Sequence, residues 1–133
     1  MVRISGGISY NEFAGSSFND VFAFFLNGTN VAVLSDRVTP VSINNVNNGW
    51  GANPPKNSHY YRDNSAGTSG GNPATAPFRT QMDGLTTVLR VTAAVIPGKI
   101  NHIKLAIADV ADYSFDSVVM IRAGSFQTGG KVV

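Results

Sequence analysis

Short apolar runs separated by turn signals limit what this chain can fold into. Residues 21–26 read Val-Phe-Ala-Phe-Phe-Leu, between an Asn-Asp pair and the Asn27-Gly28 pair. A run of this length is typical of a strand that is buried on both faces, and Asn-Gly is a strong signal for a hairpin turn. We therefore expect residues 30–34 to form the returning strand and residues 39–43 to form another short strand.

Alternation of apolar and polar residues predicts further strands in the second half of the chain. In residues 85–95, Thr, Leu, Val, Ala and Val occupy one face, and in residues 103–107 Ile, Leu and Ile alternate with polar or small residues. The Ile-Pro-Gly-Lys sequence at residues 96–99 predicts a turn that joins them into an antiparallel hairpin with one solvated face. A last strand is expected at residues 118–123, with Val119, Ile121 and Ala123 on one face.

Signals for helices are nearly absent, since Glu12 is the only glutamate and Gly, Asn, Thr and Val are frequent. The chain has 133 residues, of which 43% are hydrophobic and 14% charged, which is typical of one folded domain and excludes a disordered chain. We expect a single all-β domain over residues 1–133, an antiparallel β-sandwich of jelly-roll type. Residues 44–82, rich in Asn, Gly and Pro, are expected to form a long loop.

Charge and cysteine content exclude several classes of function. The formal net charge is +2 and the Lys and Arg residues are scattered, so we expect no nucleic-acid partner. The chain contains no cysteine, which excludes disulfides, zinc-thiolate sites and thiol catalysis. No run of about 18 apolar residues exists, so no membrane insertion is expected. The first residues do not read as a signal peptide.

Clustered carboxylates near the C-terminus are the best candidate for a cation site. Asp109, Asp112 and Asp116 lie within eight positions, between two apolar runs. Ca²⁺ takes six to eight oxygen ligands, and a loop with this spacing would supply three carboxylates. Asp20 would add a fourth if the fold brings it close. The alternative is a polar turn with capping aspartates, and the spacing does not match an EF-hand.

Aromatic side chains in the Asn-rich segment are candidates for sugar binding. Trp50, Tyr60 and Tyr61 would stack on sugar rings, while Asn side chains bind the hydroxyl groups. The alternative is that these rings cover the core of the sandwich. The two histidines, His59 and His102, lie in no recognisable catalytic motif, so we expect no enzyme.

Six blocks of sequence resemble a known family, in the same order along the chain. Residues 10–13 read Tyr-Asn-Glu-Phe and residues 61–64 read Tyr-Arg-Asp-Asn, and the other blocks are residues 17–26, 40–47, 83–89 and 102–126. Together they resemble the bacterial choice-of-anchor L domain, in particular its C-terminal part. The resemblance implies an exported, non-catalytic β-domain at the cell surface or outside the cell. The family's acidic residues before Tyr10 are replaced here by Ile8-Ser9.

These observations favour adhesion or self-assembly over catalysis. If the chain corresponds to the C-terminal part of the domain, its sandwich lacks some strands and has unpaired edges. Such edges recruit another chain. We expect a homo-oligomer or a complex with another surface protein, for example a filament subunit in which residues 1–5 or 127–133 complete a neighbour's sheet. The alternative is a carbohydrate-binding module with a glycan as its partner. Apart from Ca²⁺, no cofactor is expected.

Overall fold

A computed structural model describes residues 2–8, 11–65, 78–80, 82–111 and 117–127, with the backbone alone over residues 2–8. Within these ranges all strand pairs are antiparallel and the helices are two short 3₁₀ turns, which confirms the all-β prediction. The strands are β1 (Val2–Ile8), β2 (Val21–Leu26), β3 (Thr29–Asn30), β4 (Val41–Ser42), β5 (Tyr61–Asp63), β6 (Gly84–Thr86), β7 (Leu89–Val91), β8 (Ile103–Ala108) and β9 (Val118–Ile121). The 3₁₀ turns are η1 (Asn11–Phe13) and η2 (Ser58–Tyr60).

The first sheet is organised around β1. Ile4 pairs with Leu89 of β7 on one side and with Ile121 of β9 on the other. β6 pairs with the last two residues of β1, on the same side of β1 as β7. β5 pairs with β6 and completes the five-stranded sheet. Residues 2–5, which we expected to pair with a neighbouring molecule, therefore lie inside the sheet of their own chain.

The second sheet is organised around β2. Phe22 pairs with Val41 of β4 on one side and with Ile107 of β8 on the other, and β3 pairs with the opposite end of β2. The predicted turn at Asn27-Gly28 is present. The returning strand is shorter than predicted because the Asn30 side chain accepts hydrogen bonds from the N–H groups of Phe24 (3.1 Å) and Ala32 (3.0 Å), in place of a continued ladder.

The hairpin predicted between residues 85–95 and 103–107 is wrong. β7 pairs with β1 in the first sheet, and β8 pairs with β2 in the second. Alternation of side chains indicates which residues share a face, but it does not indicate which strand will be the partner. β2 offers β8 six paired residues, whereas β7 has only three residues. The turn at residues 96–99 does form, and there the Lys99 N–H donates to the Ile96 carbonyl oxygen at 3.3 Å.

Two hydrophobic clusters join the sheets. The first combines Phe22 and Phe24 of β2 with Val91 of β7, and Val119 and Ile121 of β9 pack against it. These are two of the three residues predicted to share a face of the last strand, whereas Ala123 is exposed and lies beyond the end of β9. The second cluster contains Leu34, Val41, Ile43, Val46 and Tyr61. Each cluster contains residues from both sheets. The jelly-roll order of the strands stays a prediction.

The stretch predicted as one long loop contains regular structure. η2 and β5 lie within it, and isolated bridges join Asn47 to Lys56 and Trp50 to Asn53. Short strands of this kind have too few residues to show a period in the sequence. Residues 66–77 and 81 of the predicted loop lie outside the described residues.

Candidate functional site

Asp20 fastens the loop that contains the predicted cation ligands. It is buried just before β2, where its Oδ1 accepts a hydrogen bond from the Val110 N–H (3.1 Å) and its Oδ2 accepts one from the Ser117 hydroxyl (2.6 Å). These two donors lie near the two ends of the loop between β8 and β9. The fold therefore does bring Asp20 to the acidic loop. Asp109 begins the loop at an exposed position, while Asp112 and Asp116 lie outside the described residues.

The geometry at Asp20 explains how a buried carboxylate is tolerated. Burial of a charge is costly unless hydrogen bonds satisfy it, and here both oxygens accept one. Across the described ranges no group of three or more His, Cys, Asp or Glu side chains could hold a metal ion. The Ca²⁺ site at Asp20, Asp109, Asp112 and Asp116 thus stays a prediction, with Asp20 acting here as a structural clamp.

The three aromatic residues predicted to bind sugars lie in different environments. Trp50 is 57% exposed, whereas Tyr61 is only 5% exposed and belongs to the second core cluster. Tyr60 packs at the margin of that cluster, and its ring lies 4.1 Å from the ring of His59. A sugar can stack only on a ring whose face is open, so of the three Trp50 is the one that offers it.

Burial changes the acidity of Tyr61. Removal from water disfavours the charged phenolate and raises the pKa of Tyr61 well above the usual tyrosine range, and the negative charges of Asp63, Glu12 and Asp83 raise it further. Tyr61 is therefore a neutral core residue at any physiological pH.

Asparagine side chains in the Asn-rich segment bind the backbone. The Asn47 amide donates to the Ile43 carbonyl oxygen (2.8 Å) and its Oδ1 accepts from the Gly49 N–H (3.0 Å). Asn44 similarly accepts from the Gly15 N–H (2.5 Å) and donates to the Ser16 carbonyl oxygen (2.9 Å). These amides supply the hydrogen bonds that turns without a strand ladder need. They are used within the fold rather than offered to a ligand.

The alternation in residues 103–107 predicts the strand β8, but it does not predict the exposure of the apolar side chains of β8. Its apolar side chains Ile103, Leu105 and Ile107 are 51%, 45% and 49% exposed. Leu105 pairs directly with Phe24 of β2, and paired residues lie on the same face of a sheet. The three side chains thus lie on the face that β2 turns toward the core, yet they remain half open to solvent. A lysine within an apolar strand, here Lys104, is the sequence signal typical of an edge.

The outer edge of β8 also presents backbone groups that no strand in the described part of the chain pairs with. No described strand pairs with β8 except β2. The Asn27 N–H donates to the His102 carbonyl oxygen at 2.9 Å, which marks the first hydrogen-bonded pair of this ladder. Such pairs alternate along an antiparallel ladder, so the even-numbered residues of β8 direct their N–H and C=O groups toward β2. The N–H and C=O groups of Ile103, Leu105 and Ile107 therefore point to the outer edge.

A shallow cleft lies at the start of β8, beside the hairpin turn. It has a volume of about 440 Å³ and is lined by Phe25, Gly28, His102, Ile103 and Lys104. Its polar side chains are two basic groups on an open surface, so it adds to the exposed area around β8 without presenting a set of catalytic groups.

Fold and site together define an all-β domain of antiparallel sheets, without a recognisable catalytic centre among the described residues. A model of the choice-of-anchor L domain family matches residues 6–127, which is most of the chain. The chain belongs to the choice-of-anchor L domain family. This is a family of surface-anchor domains and not a known enzyme family, and membership identifies a cell-surface or extracellular protein.

Other comparisons add no relatives. A search of curated proteins and a search of solved structures each found no match. The helices in the described ranges are too short and too polar to cross a membrane.

Proposed function

We propose that this domain is a non-enzymatic module of adhesion or self-assembly at the cell surface, and that it associates with other proteins through the outer edge of β8. The observation that carries this proposal is the combination of half-exposed Ile103, Leu105 and Ile107 with outward-pointing backbone groups of the same residues. An added strand would satisfy both at once, because backbone groups give affinity and alternate side chains give specificity in strand addition.

The energetics favour association at this edge. Burying the open half of an Ile or Leu side chain stabilises a complex by roughly 1 kcal/mol. Natural edge strands are usually protected by charges, proline, bulges or a covering loop. β8 has a single charged residue, Lys104, and contains neither proline nor glycine. The low charged fraction of the chain, 14%, also suits a surface that is buried against neighbours.

Sedimentation velocity over a wide range of protein concentration tests the proposal. We expect the wild-type chain to associate as concentration rises and Leu105→Lys to remain monomeric, because a charge in the centre of the edge must be desolvated on pairing. Val38→Lys is the matched control, since Val38 is 78% exposed in the turn between β3 and β4, on the opposite side of β2. A wild-type chain that neither self-associates nor binds cells, even at high concentration, would exclude this function.

A carbohydrate-binding module is the second candidate, and the exposure of the Trp50 ring is the observation that favours it. Trp50 is fixed in a turn, where its N–H donates to the Asn53 carbonyl oxygen and the Asn53 N–H donates back, both at 3.0 Å. Tyr60 and Tyr61 would support the site from the core side. A glycan array with wild type and Trp50→Ala tests this candidate. Absence of signal, or equal signal from both proteins, would reject it.

A further inference from the structure

We propose that the partner of the β8 edge is a second copy of this chain, paired antiparallel to it about a two-fold axis through Leu105. This inference rests on the proposed function and specifies its partner and register. In this arrangement Leu105 lies opposite the partner's Leu105, and Ile103 lies opposite the partner's Ile107. The apolar row of one copy therefore continues into the apolar row of the other.

Backbone geometry restricts the registers that two copies can adopt. Only the odd-numbered residues of β8 turn their N–H and C=O groups outward, so a new ladder must pair odd residues with odd residues. The two-fold axis that relates the antiparallel strands then lies between the two copies of one residue and is perpendicular to the sheet. The core faces of both copies therefore lie on the same side of the joined sheet. A shift by one residue would put each apolar row on the wrong face and is excluded.

Charge disfavours the two registers whose axes lie on either side of Leu105. If the axis passed through Lys104, the two lysines would lie directly opposite each other, and like charges in that position are destabilising. If it passed through Ala106, Ile103 would lie opposite the carboxylate of the partner's Asp109. With the axis through Leu105, Lys104 lies opposite the partner's Ala106 and all three apolar residues face apolar residues. Ile103 and Ile107 lie two residues before and two residues after Leu105 and are therefore symmetric about it.

The size of this contact predicts weak, concentration-dependent pairing. Three half-exposed side chains and a six-residue strand from each copy form a contact smaller than stable specific interfaces, which bury about 1,200–2,000 Å². Pairing of this strength becomes significant where many copies are held close together, as on a surface. A weak contact needs a partner at high local concentration, and this favours a second copy of the chain over a scarce partner.

Cysteine cross-linking tests the register directly, because the chain contains no cysteine of its own. Lys104 and the partner's Ala106 would form a non-hydrogen-bonded pair with Cα atoms about 4.5 Å apart, within the roughly 4.4–6.8 Å that a disulfide needs. Lys104→Cys and Ala106→Cys are oxidised separately and as an equal mixture, with Val38→Cys as the control. Circular dichroism spectra of each variant establish that it is folded.

The two separate oxidations and the mixture together distinguish the registers. We expect the mixture of Lys104→Cys with Ala106→Cys to form disulfide heterodimers roughly tenfold faster than either variant alone, because pairing holds the two thiols at a millimolar effective concentration. Cross-linking of Lys104→Cys alone, or of Ala106→Cys alone, would indicate a different axis and overturn the inference. Concentration-dependent sedimentation of wild type without any of these cross-links would also overturn it, while leaving the proposed function intact. A monomeric wild type without cross-links would count against both.

Discussion

β2 and β8 are neighbouring strands of equal length that lie in opposite environments. They pair residue for residue, from Val21 with Ala108 to Leu26 with Ile103, and each carries an apolar row on the same face of the sheet. The row of β2 is buried. The row of β8 is half exposed, although its side chains are as hydrophobic as many that form cores.

The difference comes from position and not from composition. β2 has a strand on each side, and Phe22 and Phe24 are covered by Ala32 and Val91. β8 has a described neighbour on one side only. Hydrophobicity explains why both segments form strands, while the number of neighbours determines whether a row stabilises the fold or remains available to another molecule.

The largest expected effect comes from truncating the same face on each strand. Phe24→Ala removes a buried ring from the first core cluster and should lower the free energy of unfolding by about 3–5 kcal/mol. Leu105→Ala, at the position paired with Phe24, should cost roughly 1 kcal/mol because half of that side chain is already in water. Urea unfolding followed by circular dichroism measures both at a dilution where the chain is monomeric. Equal losses would show that β8 is not an exposed edge in solution.

Removing the side chain of Asp20, which lies just before β2 and holds the loop that follows β8, should have the next largest effect on stability. Asp20→Ala deletes both acceptors that hold Val110 and Ser117, and hydrogen bonds to a charged group contribute about 1.5–3 kcal/mol. We expect a loss of stability in this range and faster hydrogen exchange at the Val110 amide. Asp36→Ala is the control, since Asp36 is exposed and accepts hydrogen bonds from the Val38 and Thr39 N–H groups of its own turn. Unchanged exchange at Val110 would contradict the role of Asp20.

The contrast between β2 and β8 also shows how far the sequence could predict the fold. Residues 21–26 were predictable as a strand because their length, apolar run and Asn-Gly turn all agree. The inward face of β9 was predictable from its alternation. The partner of β8 was not, because pairing between Phe24 and Leu105 joins residues about eighty positions apart, and no local pattern encodes a contact of that length.

The candidate site was predictable only in part, for the same reason. Asp20 accepts a hydrogen bond from Val110, 90 positions away in the sequence. The calcium hypothesis required Asp20 to lie close to the acidic loop, and no local pattern in the sequence could test that requirement. Tyr60 and Tyr61 are adjacent, and the sequence does not indicate which of them turns into the core. That choice depends on β5, a strand of three residues that is too short to show a period.

Alkaline pH should cause a smaller loss of stability that depends on Tyr61, which is buried as the apolar side chains of β2 are. Unfolded tyrosine ionises near pH 10, whereas burial raises the pKa of Tyr61 above that value. The contribution to stability is therefore fully present below about pH 10 and is lost as the pH rises toward the folded-state pKa. Tyr61→Phe should flatten this decline relative to the wild type. Identical pH profiles of the free energy of unfolding would show that Tyr61 is accessible to water.

The smallest expected effect concerns the loop beyond β8, where the calcium hypothesis makes a definite prediction. Ca²⁺ at a concentration equal to its Kd would stabilise the fold by only about 0.4 kcal/mol, so the melting temperature should be followed up to a large excess. Asp112→Ala should abolish the rise, and Asp36→Ala should not, because Asp36 lies in the turn before β4. Since both oxygens of Asp20 already accept hydrogen bonds, a bound ion would have to share them with Val110 and Ser117. A flat response after treatment with a chelator would leave Asp20 as a clamp between β2 and the end of β8, and the acidic loop as a polar turn.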